Sequence, residues 1–61
     1  MDTQRAKEII ASPKTIHVLH DGVKVYIQNV NEEMELARIY PLEKPEYVQD
    51  VPVNELNEVH H

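Results

Sequence analysis

The chain has no cysteine, no tryptophan and no phenylalanine, and only one glycine among its 61 residues. Without cysteine there is neither a disulfide nor a thiolate metal site. A single glycine rules out a glycine-rich phosphate loop. No apolar run approaches the roughly 18 residues that a membrane-spanning helix needs. The opening Met1-Asp2-Thr3-Gln4-Arg5 lacks the basic stretch and apolar core of a signal peptide. These absences predict a soluble, intracellular chain with no membrane association. A domain this short buries only about 60% of the surface its unfolded chain exposes. Small scaffolds therefore usually add a disulfide, a metal or a partner chain. With the disulfide gone, dense packing or self-association remains, and a homodimer is one expectation.

Basic side chains are also scarce. There are 6 against 11 acidic ones, for a net charge of −5. Nonspecific duplex binding depends on neutralising phosphates with Lys and Arg, so no tight, sequence-independent binding to duplex DNA is expected. Below about pH 4 the carboxylates are neutral. The 6 basic side chains and 4 histidines then sum to +10, a charge that favours solubility in acid.

What is present is patterned. Asp2 can cap a helix, because its carboxylate can accept orphan backbone N–H groups. Ala6, Ile9 and Ile10 recur at helical spacing and form one apolar stripe. Ser12 precedes Pro13 and is pushed out of the α region, which ends the helix. From Thr15 the period becomes two, with Ile16 and Val18 as one set. Asp21-Gly22 suits a tight turn with positive φ. Val23, Val25 and Ile27 then alternate with Lys24, Tyr26 and Gln28, the cleanest strand pattern in the chain. Asn31-Glu32-Glu33 reads as a loop, Leu36–Tyr40 as a strand with Ala37 and Ile39 inward, and Pro41–Pro45 as a second loop. Tyr47–Val53 reads as a strand that lies at a sheet edge or ends at Pro52, since Pro52 cannot donate to a ladder. Asn54-Glu55-Leu56 suits a short closing helical turn.

The fold expected is α+β and mostly β: a short N-terminal helix, then a small SH3-like barrel or a strongly bent antiparallel meander of four to five strands. It forms a single domain over residues 1–59, and His60-His61 reads as the remnant of a purification tag. The core expected from periodicity is Ile9, Ile16, Val18, Val23, Val25, Ile27, Ile39 and Val53.

Chemistry-bearing residues are sparse. Ser12 is the only serine, and it sits at the helix stop. Glu32 and Glu33 fall in the hairpin loop, where a solvated charged turn accounts for them. His17 and His20 are three apart on a strand, so they point to opposite faces. No catalytic residue, metal site or cofactor is expected.

One surface carries a functional expectation. With Asn31-Glu32-Glu33 as the loop, Val30 pairs with Met34. That register sets Tyr26 opposite Arg38, Lys24 opposite Tyr40, Val25 opposite Ile39 and Ile27 opposite Ala37. One face is then apolar and the other is a basic–aromatic checkerboard of Lys24, Tyr26, Arg38 and Tyr40. Cross-strand pairs of this kind stabilise a sheet by roughly 0.2–1 kcal/mol each. Exposed tyrosines beside cations could also stack single-stranded nucleic acid or receive a protein partner.

The order of several short segments resembles a known family. Gln4-Arg5-Ala6-Lys7-Glu8-Ile9 with Ser12-Pro13, Gly22-Val23-Lys24-Val25-Tyr26-Ile27-Gln28, Ala37-Arg38-Ile39-Tyr40-Pro41-Leu42 and Val51-Pro52-Val53-Asn54-Glu55-Leu56 resemble the H-type minor small acid-soluble spore proteins. The resemblance covers nearly all of residues 1–58. It implies a minor, non-enzymatic protein of the dormant spore core of Gram-positive spore-formers, cytoplasmic and made late in sporulation, with a structural or storage role. It does not imply DNA coating, which belongs to the separate, helical α/β-type spore proteins. The family has no catalytic residues to carry over.

Overall fold

The computed structural model describes residues 1–59; His60 and His61, and with them the tag reading, lie outside the described residues. Helix α1 spans Thr3–Ala11. Asp2 adopts an extended backbone, and its carboxylate accepts from the Arg5 N–H at 2.7 Å. Ser12 closes the helix in an extended conformation, and its N–H donates to the Ile9 carbonyl at 3.2 Å. Both ends match the capping expected from Asp2 and from the Ser12-Pro13 step.

Five strands follow: β1 (Val18–His20), β2 (Val23–Asn31), β3 (Leu36–Pro41), β4 (Gln49–Pro52) and β5 (Leu56–Glu58). All pairings are antiparallel, and the spatial order is β4-β3-β2-β1-β5. The sheet curls into a half-barrel, and α1 packs against its inner face through Ala6 and Ile9. A single 3-10 turn, Val53–Glu55, carries the chain from β4 at one edge to β5 at the other. The class is thus α+β and mostly β, with the successive pairing of a bent meander and β5 returning beside β1. No helix of the described residues is long and apolar enough to cross a membrane.

Asp21 and Gly22 make the β1–β2 turn with φ of 54° and 80°. Both central residues thus hold the positive φ that a type I′ hairpin turn requires. Pro52 sits in β4, an edge strand, where its missing N–H costs no ladder bond.

The core comprises Ala6, Val18, Val25, Ile27, Ala37, Ile39, Val51, Val53 and Leu56, and among the described residues no polar or charged one is buried. Val18, Val25, Ile27, Ile39 and Val53 meet the expectation from periodicity. Three expected members differ. Ile9 and Ile16 are half-buried, and Val23 is 51% exposed. Val23 pairs with His20 immediately beside the turn. It has inward parity, but it lies at the end of the hairpin, where the core does not cover it. Ala6, Val51 and Leu56 complete the core from elements whose sequence signals are weak. β5 is one of these: the short turn expected at residues 54–56 comes one residue earlier, and Leu56 begins a strand.

The β2–β3 register also differs from expectation. Val25, Tyr26 and Ile27 pair with Pro41, Tyr40 and Ile39, whereas Asn29, Val30 and Asn31 pair with Arg38, Ala37 and Leu36. Gln28 is left unopposed as a β-bulge, and the connecting loop is residues 32–35. Tyr26 therefore faces Tyr40 rather than Arg38, and Lys24 does not face Tyr40. Before the bulge, the slip from the expected register is two residues. An odd slip inverts the faces of a strand, but an even slip preserves them. Val25, Ile27 and Ile39 consequently remain inside, although every partner has changed. The bulge then moves the inward position from Ile27 to Val30, three residues on, and bends β2 around the core.

Candidate ligand platform on the outer sheet face

Lys24 and Tyr26 on β2 and Arg38 and Tyr40 on β3 have outward parity, opposite to Val25, Ile27 and Ile39. Direct pairing of Tyr26 with Tyr40 brings their rings into a parallel stack, with centroids 5.3 Å apart and an interplanar angle of 8°. Tyr26 is 45% exposed and Tyr40 is half-buried. Such a stack stabilises by about 0.5–1.5 kcal/mol beyond the area it buries. It also presents a flat aromatic surface to solvent. Lys24 lies two residues along β2 from Tyr26, is exposed, and forms no ion pair among the described residues.

Arg38 is differently placed. β3 pairs with β4 so that Arg38 stands opposite Asp50. The guanidinium donates to both carboxylate oxygens, from Nε to Oδ1 at 3.0 Å and from a terminal nitrogen to Oδ2 at 3.2 Å. This two-pronged geometry is the stronger form of an Arg–carboxylate contact. The hydrogen bond from Arg38 holds the Asp50 carboxyl below its usual range, and the same bond raises the guanidinium above its own. The structure thus brings Tyr26 and Tyr40 together with Lys24 nearby, and it turns Arg38 to Asp50. Asp50 was the unrecognised member of this face. Its alternation with the buried Val51 carries the signal, since a neighbour of an inward residue on a strand points outward.

Elsewhere the charges tie elements together. Arg5 joins α1 to β5 through Glu58, with Nε at 3.1 Å from the carboxylate, and it also meets Glu8. The hydrogen bond to Glu58 is the main cause of the raised Arg5 pKa. Lys7 joins the helix to Glu32 of the β2–β3 loop. His20 Nε2 lies 3.5 Å from a Glu55 carboxylate oxygen. Among the described residues, no group of three or more His, Cys, Asp or Glu side chains is placed to hold a metal ion.

The model of the Small acid-soluble spore protein H family matches residues 1–58. A small, acid-soluble spore protein H of Halalkalibacterium halodurans is 53% identical over 58 residues, covering 95% of this chain and 97% of that relative. The protein of the same description from Bacillus subtilis is 52% identical, covering 95% of this chain and 98% of its own length. That from Alkaliphilus metalliredigens is 50% identical with the same coverage. No solved structure matches the chain. With its family matched from residue 1 to residue 58 and relatives at about half identity end to end, the chain belongs to the Small acid-soluble spore protein H family and is a spore-associated protein.

Proposed function

We propose that this protein is a non-catalytic structural or storage component of the dormant spore core. The observation that carries the reading is the division of the molecule into an all-aliphatic interior and a surface of short-range ion pairs. Among the described residues, all nine buried side chains are aliphatic. The groups with displaced titration are partners in such pairs: Arg38 and Asp50 pair with each other in the open on the outer sheet face, and Arg5 on α1 pairs with Glu58 and Glu8. Catalysis calls for the opposite arrangement, with positioned acid, base or nucleophile in a water-excluding pocket. The test is fractionation of purified dormant spores, with the chain followed by a specific antibody. The core reading expects it to resist decoating and to appear in the acid extract of ruptured spores. Recovery with the coat fraction would sink the core assignment.

The outer sheet face supports a second reading, that of a binding module for single-stranded nucleic acid. The exposed Tyr26–Tyr40 stack favours it, because a base can continue an aromatic stack whatever its sequence. The pairing of Arg38 with Asp50 weighs against it, because it leaves Lys24 as the unneutralised cation of the four. Titration of tyrosine fluorescence with oligo-dT, oligo-U and a duplex, each at two salt concentrations, distinguishes the readings. The module reading expects single strands to bind more tightly than duplex, with binding lost in Tyr26→Ala/Tyr40→Ala. Equal, negligible response to all three leaves the face as sheet surface.

A further inference from the structure

The six basic side chains divide into two groups. Arg5, Lys7 and Arg38 are each ion-paired. Lys14, Lys24 and Lys44 form no ion pair among the described residues, in a chain where carboxylates outnumber cations 11 to 6. These three are not scattered. Lys14 and Lys24 line an open groove of about 310 Å³ between the C-terminal end of α1, the segment after it and β2. Its apolar lining includes Ile10, Ile16 and Leu42, and no carboxylate lines it. Lys24 and Leu42 continue into an adjoining depression that Lys44 also lines, with Glu43 as its one acidic residue. Ile10, Val23 and Leu42, all at these two sites, are 41%, 51% and 50% exposed. The molecule therefore carries one region that is both apolar and basic.

Another surface carries its complement. The β2–β3 loop is Glu32-Glu33-Met34-Glu35. Met34 is 66% exposed, the highest value among the exposed large hydrophobic side chains. Three carboxylates flank it, and among the described residues only Glu32 of these is ion-paired, to Lys7. Covering the Met34 side chain would remove apolar surface from water. The loop is also held in shape. Glu35 has φ of 56°, a left-handed conformation uncommon for a residue with a side chain, and its carbonyl accepts from the Val53 N–H at 2.9 Å. The Met34 N–H donates to the Asn31 side chain at 3.1 Å. The tip is thus a presented knob with a flexible, polarisable side chain of the kind that fits irregular apolar gaps.

Within one chain no residue of the tip lines the groove. The tip follows the last residue of β2, whereas residues 24–27 in the first half of that strand line the groove.

We propose that a second copy of this chain occupies the groove, inserting Met34 among Ile10, Ile16 and Leu42 while Glu33 and Glu35 meet Lys14 and Lys24. The contact is heterologous: each copy uses its tip on one neighbour and its groove on another. Such contacts propagate into open chains or close into rings, unlike the self-complementary patch of a twofold dimer. This inference goes beyond the functional reading above and does not depend on it. One loop in one groove covers less than the roughly 1,200 Å² of a stable interface. Association is accordingly weak, appears at high protein concentration and fades as salt screens the charges.

Sedimentation velocity of the full chain, from micromolar to millimolar concentration at low and high salt, tests the proposal. At low salt the weight-average mass rises from the 7.1 kDa monomer past the dimer without a plateau there, and the rise is reduced at high salt. Met34→Glu removes the tip and Leu42→Glu the groove, and each variant alone stays monomeric. Mixed, they restore one intact tip and one intact groove, so the pair stops at a 1:1 dimer of twice the monomer mass. Lys14→Glu, on an exposed residue outside helix and sheet, serves as a second groove variant, and circular dichroism melts confirm that each variant is folded. A wild-type chain that remains monomeric throughout overturns the proposal and leaves the groove to a foreign occupant. A wild type that plateaus as a dimer, or folded variants that fail to complement each other, overturns the head-to-tail arrangement.

Discussion

The two faces of the curled sheet are built from the same strands and obey different rules. On β3, Ala37 and Ile39 are buried while Arg38, between them, is exposed and paired to Asp50. On β2, Val25 and Ile27 are buried while Tyr26, between them, lies half in solvent against Tyr40. The inner face gains by removing aliphatic surface from water, about 25 cal/mol per Å², and its cost of alteration includes any cavity left behind. The outer face gains from directional pairs that solvent screens. Neighbouring residues on one strand should therefore differ greatly in how much stability each supports. The inner face holds the fold, and the outer face is free to vary or to bind.

The strongest contrast lies on β3. Ile39→Ala should cost about 2–5 kcal/mol. A domain of 61 residues at about 0.05–0.15 kcal/mol per residue has only some 3–9 kcal/mol in total. The variant should be largely unfolded at room temperature by circular dichroism, whereas Arg38→Ala, one residue away, should melt close to the wild type. Comparable losses from the two would remove the distinction between the faces.

A second alteration of the inner face adds volume. Ala6 is fully buried where the helix meets the sheet. Ala6→Leu should lose about 1–3 kcal/mol through overpacking, measurable by urea denaturation. Little change would mean that the helix can move away from the sheet, and that the inner face is less closely packed than Ala6 indicates.

On the outer face, a double-mutant cycle of Tyr26→Ala and Tyr40→Ala should give a coupling of about 0.5–1.5 kcal/mol for the stack. A coupling near zero would show that the rings are placed by the strands rather than by each other.

The smallest effect is one of pH. The Arg38 hydrogen bond lowers the Asp50 pKa in the folded state. A depressed carboxyl pKa contributes stability that is present above the unfolded value, about 3.9, and is lost as pH falls through the folded value. Arg38→Met should reduce the loss of thermal stability between about pH 5 and pH 2. An unchanged acid profile would assign that loss to other carboxylates.

Sequence reading reached unevenly across these features. The helix with its Asp2 cap and Ser12 stop, the Asp21-Gly22 turn and the edge position of Pro52 were legible, because each depends on a residue's own backbone preferences. The inner and outer faces of β2 and β3 were legible because side chains alternate by backbone geometry. The platform residues Lys24, Tyr26, Arg38 and Tyr40 followed from that alternation, but their partners did not. A two-residue slip leaves parity intact and changes every pair, so the sequence could name the face without naming its contacts. The Gln28 bulge left one trace, the step of three from Ile27 to Val30 where two was the rule.

The amino-acid sequence by itself determined the helix ends, the hairpin turn, the alternation that separates interior from surface, and the spore-protein family. Only the tertiary structure decided that Tyr26 stacks on Tyr40, that Asp50 takes Arg38, that Leu56 opens a fifth strand and that Val23 remains in solvent. The physical reason is range. Caps, turns and pleat arise within a few covalently linked residues, whereas register and burial depend on how loops, the bulge and the helix bring distant segments to one core.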